Sequence, residues 1–412
     1  MVVFEKTGGI TLELEVLAPA GDRERLLSAL NYGADAVYLG RKNFGMRASS
    51  SNFDYEGLME AVKLSHEKGV KVYLTCNTLP RNSEIPLFEQ FVKEAVECGV
   101  DALIAADLGI ISLIKKYAPD MEIHASTQTG IVNYVTANEL YNMGCKRVVL
   151  ARELSIDEIA EIRAKTPKEM EIECFVHGAM CVSFSGRCLL SSYLVNRDAN
   201  RGECAQPCRW GYHLQEEKRP NEFFPVFEDE QGTYILNAKD MSMIEHIQKL
   251  REAGIYSLKI EGRAKSAYYV SVVTNAYRMA VDHCLRGETV PQWVYDEVFK
   301  VSHRKYCTGF FFGHPKDSQY YETGGYIREY DVVAVVDECR DGRIYATQRN
   351  KFLVGDTLEV FSPGTKPEII KADVIFNEKD EPVESANHAM MKFSIPCDKT
   401  FPKDAIIRMQ KD

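Results

Sequence analysis

The sequence predicts an α/β fold. A (β/α)8 barrel of the TIM type carries a cysteine-bearing insertion between strands seven and eight, and a small C-terminal all-β barrel domain follows. Three observations carry that expectation. The first is a phrase repeated through the first 260 residues: a helix-period segment, a glycine, then a short β-branched run. It reads Gly33-ADAVYLG, Gly69-VKVYLTCN, Gly99-VDALIAAD, Gly144-CKRVVLARE and Gly254-IYSLKIEG. Glycine after a helical segment is the left-handed C-cap, and the apolar run behind it reads as a strand buried on both faces. The second is the strand count. Eight runs fall around 14–18, 36–39, 71–76, 102–105, 122–126, 147–151, 171–176 and 257–260. Strand–helix alternation with short links makes a parallel sheet with right-handed crossovers, and eight units favour a closed barrel over an open sheet. No G-x-G-x-x-G follows the first strand, which weakens a dinucleotide-binding reading. The third is a change of character from about residue 331, where short strands alternate with turn residues and Asp341-Gly342 marks a tight hairpin.

Taken in order, the segments Tyr55 to Lys68, Ile85 to Cys98 and Ser155 to Ala164 have helical periodicity. Polar residues gather just past the strands: Asn77, Asp107, Ser126, Thr127, Gln128, Arg152, Glu153, His177, Glu261 and Arg263. That rim is where barrels of this type build their active sites. For Asp107 and Ser126 a helix N-cap is the simpler reading. About 80 residues separate strands seven and eight, and the insertion occupies about 177–240. Helix-like segments at 266–285 and 292–300 lead into 302–313, read as a linker. The barrel domain is therefore expected over 1–320 and the β domain over 331–412.

Composition narrows the class. A net charge of −10 argues against a protein that coats itself in nucleic acid, although Arg187, Arg197, Arg201 and Arg209 face only Asp198 and Glu203 between 181 and 213. No apolar run reaches the roughly 20 residues that span a bilayer. The first residues lack a basic stretch followed by an apolar one, so a cytoplasmic protein without membrane contact is expected. In a reducing compartment the 12 cysteines bind metal or pack.

Four of them stand as Cys181-x6-Cys188-x15-Cys204-x3-Cys208. Four soft thiolates suit an iron–sulfur cluster or zinc. The first pair is wider than the C-x2–4-C knuckle of zinc ribbons. Ordinary buried cysteines are the third reading.

Residues 173–191, ECFVHGAMCVSFSGRCLLS, resemble the signature of the U32 family, and LAPAGD (17–22), LNAKDM (236–241), KIEGRAKS (259–266) and HRKYCTGFFFG (303–313) are similar to other stretches of it. The family carries a peptidase or collagenase label. It also holds proteins that resemble O2-independent hydroxylases with a [4Fe–4S] cluster, acting on tRNA, ribosomal RNA or a ubiquinone precursor. A barrel with one small β domain resembles the tRNA branch, which implies prephenate-dependent conversion of the wobble uridine to 5-hydroxyuridine. The resemblance implies Cys181, Cys188, Cys204 and Cys208 as cluster ligands. It implies tRNA, prephenate, an unidentified electron donor and a second copy or paralogous chain as partners.

For a dicarboxylate, Arg152, Arg187 and Arg263 are the candidate guanidinium forks, with Asn77 and Gln128 beside them. His177, Glu153 and Glu261 are the candidates for proton transfer. His177 reads equally well as a hydrogen-bond donor to a cluster sulfur. Tyr193, Trp210 and Tyr212 offer faces for an unstacked uracil, local packing being the plainer role. Two other classes stay open. A peptidase would need an activated nucleophile, yet His66-Glu67 is followed by Lys-Gly-Val and no G-x-S-x-G is present. A Cys181–His177 pair would serve only if Cys181 binds no metal. A non-catalytic iron–sulfur RNA-binding protein is the third class.

Overall fold

Eight parallel strands close into a cylinder: β1 (Glu15–Pro19), β2 (Ala36–Gly40), β3 (Lys71–Cys76), β4 (Ala102–Ala105), β5 (Glu122–Ala125), β6 (Arg147–Val149), β7 (Glu171–Ala179) and, after a short strand β8 (Asp240–Ser242), β9 (Ser257–Ile260). Neighbours pair in chain order, and β9 pairs with both β1 and β7, which shuts the barrel. This computed structural model describes residues 14–45, 52–181, 183, 188, 190–195, 197, 203–207, 214–215, 223–224, 227–229, 232–234, 239–313 and 326–411.

The helices are α1 (Arg23–Asn31), α2 (Tyr55–Glu67), α3 (Ile85–Cys98), α4 (Leu108–Tyr117), α5 (Tyr134–Asn142), α6 (Ile156–Ala164), α7 (Leu190–Val195), α8 (Ile247–Glu252), α9 (Ala267–Arg286) and α10 (Gln292–Glu297). Their starts are written locally. Asp22, Asp54, Asp107, Asn133 and Ser155 each cap a helix through the side-chain oxygen, and Ser155 with Glu158 forms a full capping box. Asp107 is thus a cap, as its position after β4 suggested. Among the described residues no helix is long and apolar enough to cross a membrane.

One expectation needs correcting. Within 302–313, read as a linker, Tyr306–Cys307 is a strand (β10) pairing with β8, which itself pairs antiparallel with β7. The pair extends the barrel sheet outward from β7.

The lower half of the barrel interior is ionic. Arg147 on β6 is buried, its guanidinium 2.6 Å from Glu15, 3.0 Å from Glu173 and 2.7 Å from Glu171. Lys259 reaches Glu173 at 2.7 Å, while Tyr73 and Ser257 donate to Glu15 at 2.6 and 2.7 Å. Burial alone would push the Glu15 and Glu173 carboxyls up. The cations outweigh it, Arg147 at Glu15 and Lys259 with Arg147 at Glu173, and hold both below their usual range.

The C-terminal part forms an eight-stranded antiparallel sheet running from Tyr330 to Gln410. Its first hairpin turns at Asp341-Gly342, both with positive φ, as a two-residue turn of this hand requires. The sheet is docked on the barrel's helices. Buried Arg408 lies 2.8 Å from Glu297 of α10 and 2.8 Å from Glu359, Tyr32 just past α1 stacks on Phe361 at 5.1 Å, and Asn275 of α9 accepts from Gly364 N–H.

Candidate active site at the barrel mouth

The C-terminal ends of the strands gather the polar residues expected there. Strand alternation sets which side chains face inward. On β3, Tyr73 enters the ionic layer and Thr75 meets Arg263 from the far side of β9, so Asn77, two further on, faces the mouth. On β5 the same parity holds for His124, whose ring packs edge-on to Tyr73, and for Ser126. Asn77 Nδ2 lies 3.4 Å from Ser126 Oγ, which also accepts from the Gln128 N–H. Gln128 sits half-buried on the turn that Ser126 caps.

Arg263 is buried, and its Nη1 donates to Thr75 Oγ1 at 2.9 Å. That reach needs glycine at position 40, where a Cβ would stand 2.4 Å from Arg263 Nη1. Arg152, three residues past the end of β6, places its guanidinium carbon 3.8 Å from the centre of the Phe175 ring. It donates to the Ala179 carbonyl at 2.8 Å and approaches Glu261 at 3.8 Å. Glycine is also required at position 178, where φ is +108° and a Cβ would meet the Glu261 carbonyl at 2.6 Å. Arg152, Glu261, Arg263 and Asn77 therefore belong to one mouth floored by Phe175. Glu153 is half-buried on the turn after β6.

His177 stands apart from them, and the cause is a bulge. Lys259 pairs with Phe175 but Ile260 pairs with His177, so one extra residue of β7 breaks the alternation. Phe175 stays inside. His177 packs instead among Tyr269 and Tyr277 of α9 and Tyr306 of β10, with ring centroids 6.0, 5.4 and 5.1 Å away. Tyr306 gives its hydroxyl hydrogen to the Val298 carbonyl at 2.9 Å, which leaves its oxygen to accept from His177 Nε2 at 3.3 Å. Burial, helped by His303 and Lys265, pushes the imidazole pKa down to about 3, so His177 is neutral at pH 7. A histidine kept neutral in the fold takes up a proton only on unfolding as pH falls. Its contribution to stability is whole above about pH 6.5 and is lost as pH drops toward 3. Thermal midpoints of His177→Gln should accordingly fall less steeply than wild type between pH 6.5 and 4; parallel curves would show that His177 does not titrate on unfolding.

The cysteine segment leaves from the end of β7. Cys181 is exposed two residues beyond that strand, Cys188 is half-buried and Cys204 exposed. The N–H of Leu190 points at Cys188 Sγ and that of Gln206 at Cys204 Sγ, each at 3.4 Å. Ser191 Oγ accepts from Ala205 N–H at 3.0 Å and ties the two segments together. Backbone N–H groups aimed two residues back at sulfur favour thiolate, the form that ligates iron or zinc. Among the described residues, Cys181, Cys188 and Cys204 do not all lie within 4.8 Å of one another. Thiolates on one tetrahedral zinc would stand ~3.8 Å apart. Arg187, Cys208, Trp210 and Tyr212 fall outside the described residues, as does the side chain of Tyr193 on α7.

A second cluster of potential ligands, Glu122, His124 and Glu171, lies at the opposite end of the barrel. Arg147 already pairs with Glu171 there, and that face serves stability. Sequence reasoning missed Thr75, Phe175 and the three tyrosines around His177. The parity of Tyr73 would have revealed Thr75; nothing local marks the bulge.

The profile of Peptidase family U32 matches residues 21–320, and that of the family's C-terminal domain matches 328–408. The tRNA hydroxylation protein P of Escherichia coli strain K12 is 38% identical over 391 residues, covering 85% of this chain and 86% of that protein. The 23S rRNA 5-hydroxycytidine C2501 synthase of the same organism is 38% identical over 275 residues, 65% of this chain and 39% of the synthase. A collagenase of Porphyromonas gingivalis strain W83 is 31% identical over 426 residues, 97% of this chain and 98% of the collagenase.

Proposed function

The chain belongs to peptidase family U32, and from that premise we propose that it is an RNA hydroxylase whose substrate is tRNA. The finer reading is O2-independent formation of 5-hydroxyuridine at the wobble position, with prephenate as co-substrate and a [4Fe–4S] cluster on Cys181, Cys188, Cys204 and Cys208. One observation supports it above the others: the cysteine segment leaves the end of β7 at the same mouth where Arg152, Glu261 and Arg263 converge. Relatives named for tRNA hydroxylation and for 5-hydroxycytidine synthesis in 23S rRNA support the coarser reading, an RNA hydroxylase.

The residues fit such a cluster in donor type and in the N–H groups directed at two sulfurs. When bound, it would supply single-electron steps that no side chain here provides. The chain's own groups orient the reactants. Arg152, held against the Phe175 ring, and Arg263, held by Thr75, present guanidinium charge to an anionic co-substrate. Glu261 beside Arg152 is the carboxylate placed to take or give a proton.

A peptidase reading has the collagenase relative in its favour. It meets an obstacle in His177, whose Nε2 is engaged by Tyr306 and whose ring is enclosed by aromatic side chains. The test is a deletion strain carrying this chain or an empty vector, with tRNA and rRNA nucleosides quantified by mass spectrometry. Hydroxyuridine derivatives should vanish on deletion and return with the gene. Unchanged hydroxyuridine, together with iron-independent gelatin hydrolysis by the purified protein, would overturn the proposal in favour of proteolysis.

A further inference from the structure

The mouth holds a carboxamide, Asn77, to which the proposed chemistry gives no role. Asn77 follows β3 and faces inward by the parity of Tyr73 and Thr75, and its Oδ1 is buried with no hydrogen-bond donor among the described residues. Among the described residues its Nδ2 makes only a long 3.4 Å contact with Ser126 Oγ. An amide oxygen shut away from water without a donor is costly, so the position is unusual for a residue that merely packs. The side chain as a whole is half-buried. The amide gives up only that one weak contact if it turns about its Cβ–Cγ bond to meet a ligand.

A carboxamide is an acceptor beside a donor, and uracil presents the complement: N3–H beside a carbonyl. Cytosine differs at this edge, because its N3 carries no hydrogen and accepts. Family relatives are named for hydroxylation of tRNA and for 5-hydroxycytidine in 23S rRNA, so a related barrel serves more than one RNA and the base must be read somewhere. Placement supports the base edge as the point of reading. In this eight-stranded ring β3 and β7 are four strands apart in either direction and so face each other across the mouth. In uracil the C5–C6 bond lies on the far side of the ring from the N3–C2 bond. A base held at N3–H and the C2 carbonyl from the β3 wall turns C5 toward the end of β7, where the cysteine segment begins.

We infer that Asn77 is the specificity-determining residue that reads the imide edge of the target uracil and points C5 at the opposite wall. This rests on the hydroxylation reading above. The role requires contact with the base and no proton transfer, so Asn77 is a selector and not an acid or base.

The test compares wild type, Asn77→Ala and the isosteric Asn77→Asp, matched for iron content and thermal midpoint. Binding is measured by fluorescence anisotropy on anticodon-arm RNAs bearing U or C at the wobble position. Wild type should prefer the U arm by about tenfold, the scale of one hydrogen-bonded contact. Asn77→Ala should bind both arms alike. Asn77→Asp, which only accepts, keeps the N3–H contact but sets a second acceptor against the C2 carbonyl, so it should bind the U arm more weakly than wild type without gaining the C arm, whose N3 and C2 carbonyl both accept. In cells lacking the native gene, hydroxyuridine should fall about tenfold with Asn77→Ala. Equal U and C binding by wild type, or an Asn77→Ala protein that keeps the wild-type ratio and hydroxyuridine level, overturns the inference while the hydroxylase reading stands. Absence of hydroxyuridine with the wild-type chain overturns the function itself.

Discussion

Cys188→Ser should abolish hydroxylation, lowering hydroxyuridine in tRNA by at least roughly 100-fold, since changes merely beside metal ligands already cost 10–100-fold. Serine keeps the volume but replaces a soft thiolate by a hard alcohol that stays protonated at pH 7. The Leu190 N–H then faces a neutral oxygen instead of sulfur. Iron per chain, measured after anaerobic purification, should drop in step with activity, along with any absorbance near 400 nm. Cys284→Ser is the control. Cys284 lies on α9 beside Gln248 of α8, so that variant should keep both. A Cys188→Ser protein that retains full iron and full hydroxylation would remove the cluster assignment. Stoichiometric zinc in the wild type would do the same.

Arg147→Met should destabilise the barrel by about 3–5 kcal/mol, the range for removing one partner of a buried ion pair. The guanidinium serves Glu15, Glu173 and Glu171 together, and among the described residues only Glu173 has a second cation, Lys259. Methionine fills the space but leaves Glu15 with only the Tyr73 and Ser257 hydroxyls as described partners. The pH dependence fixes the mechanism. Glu15 and Glu173 are held below their ordinary carboxyl range in the fold, so below about pH 4.5 the unfolded chain binds more protons than the folded one. Their contribution is therefore whole above about pH 4.5 and lost as pH falls through the depressed folded values. Glu171 runs the other way: burial outweighs Arg147 and raises it. In Arg147→Met the cation is gone, the buried carboxyls shift upward, and mild acid should narrow the gap to wild type. Urea midpoints at pH 7 and pH 4.5 measure this. A gap that widens at pH 4.5 would mean that the network is not held by charge.

Much of the architecture was legible because its signals are local. A glycine ending a helix, a β-branched run and a side-chain cap act within a few residues, so the repeated phrase gave the strands and the order in which they pair. Strand ends were less legible: β7 runs on to Ala179, beyond the expected 176, because β8 arrives from more than 60 residues away to pair with its tip. Tyr306 was hidden in the same way. Two residues do not look like a strand until another strand lies beside them.

By itself the chain determined an eight-stranded α/β barrel, a polar rim and a cysteine-rich excursion after strand seven, since periodicity and spacing are properties of consecutive residues. Tertiary structure alone decided which rim residues share the mouth. Strict alternation would have put His177 beside Arg152; the bulge opposite Lys259 and Ile260 sends it among tyrosines, while Arg263 crosses to Thr75 over a glycine. The physical reason is that register is set between strands more than 80 residues apart, and a slip of one residue reverses the face on which a side chain emerges.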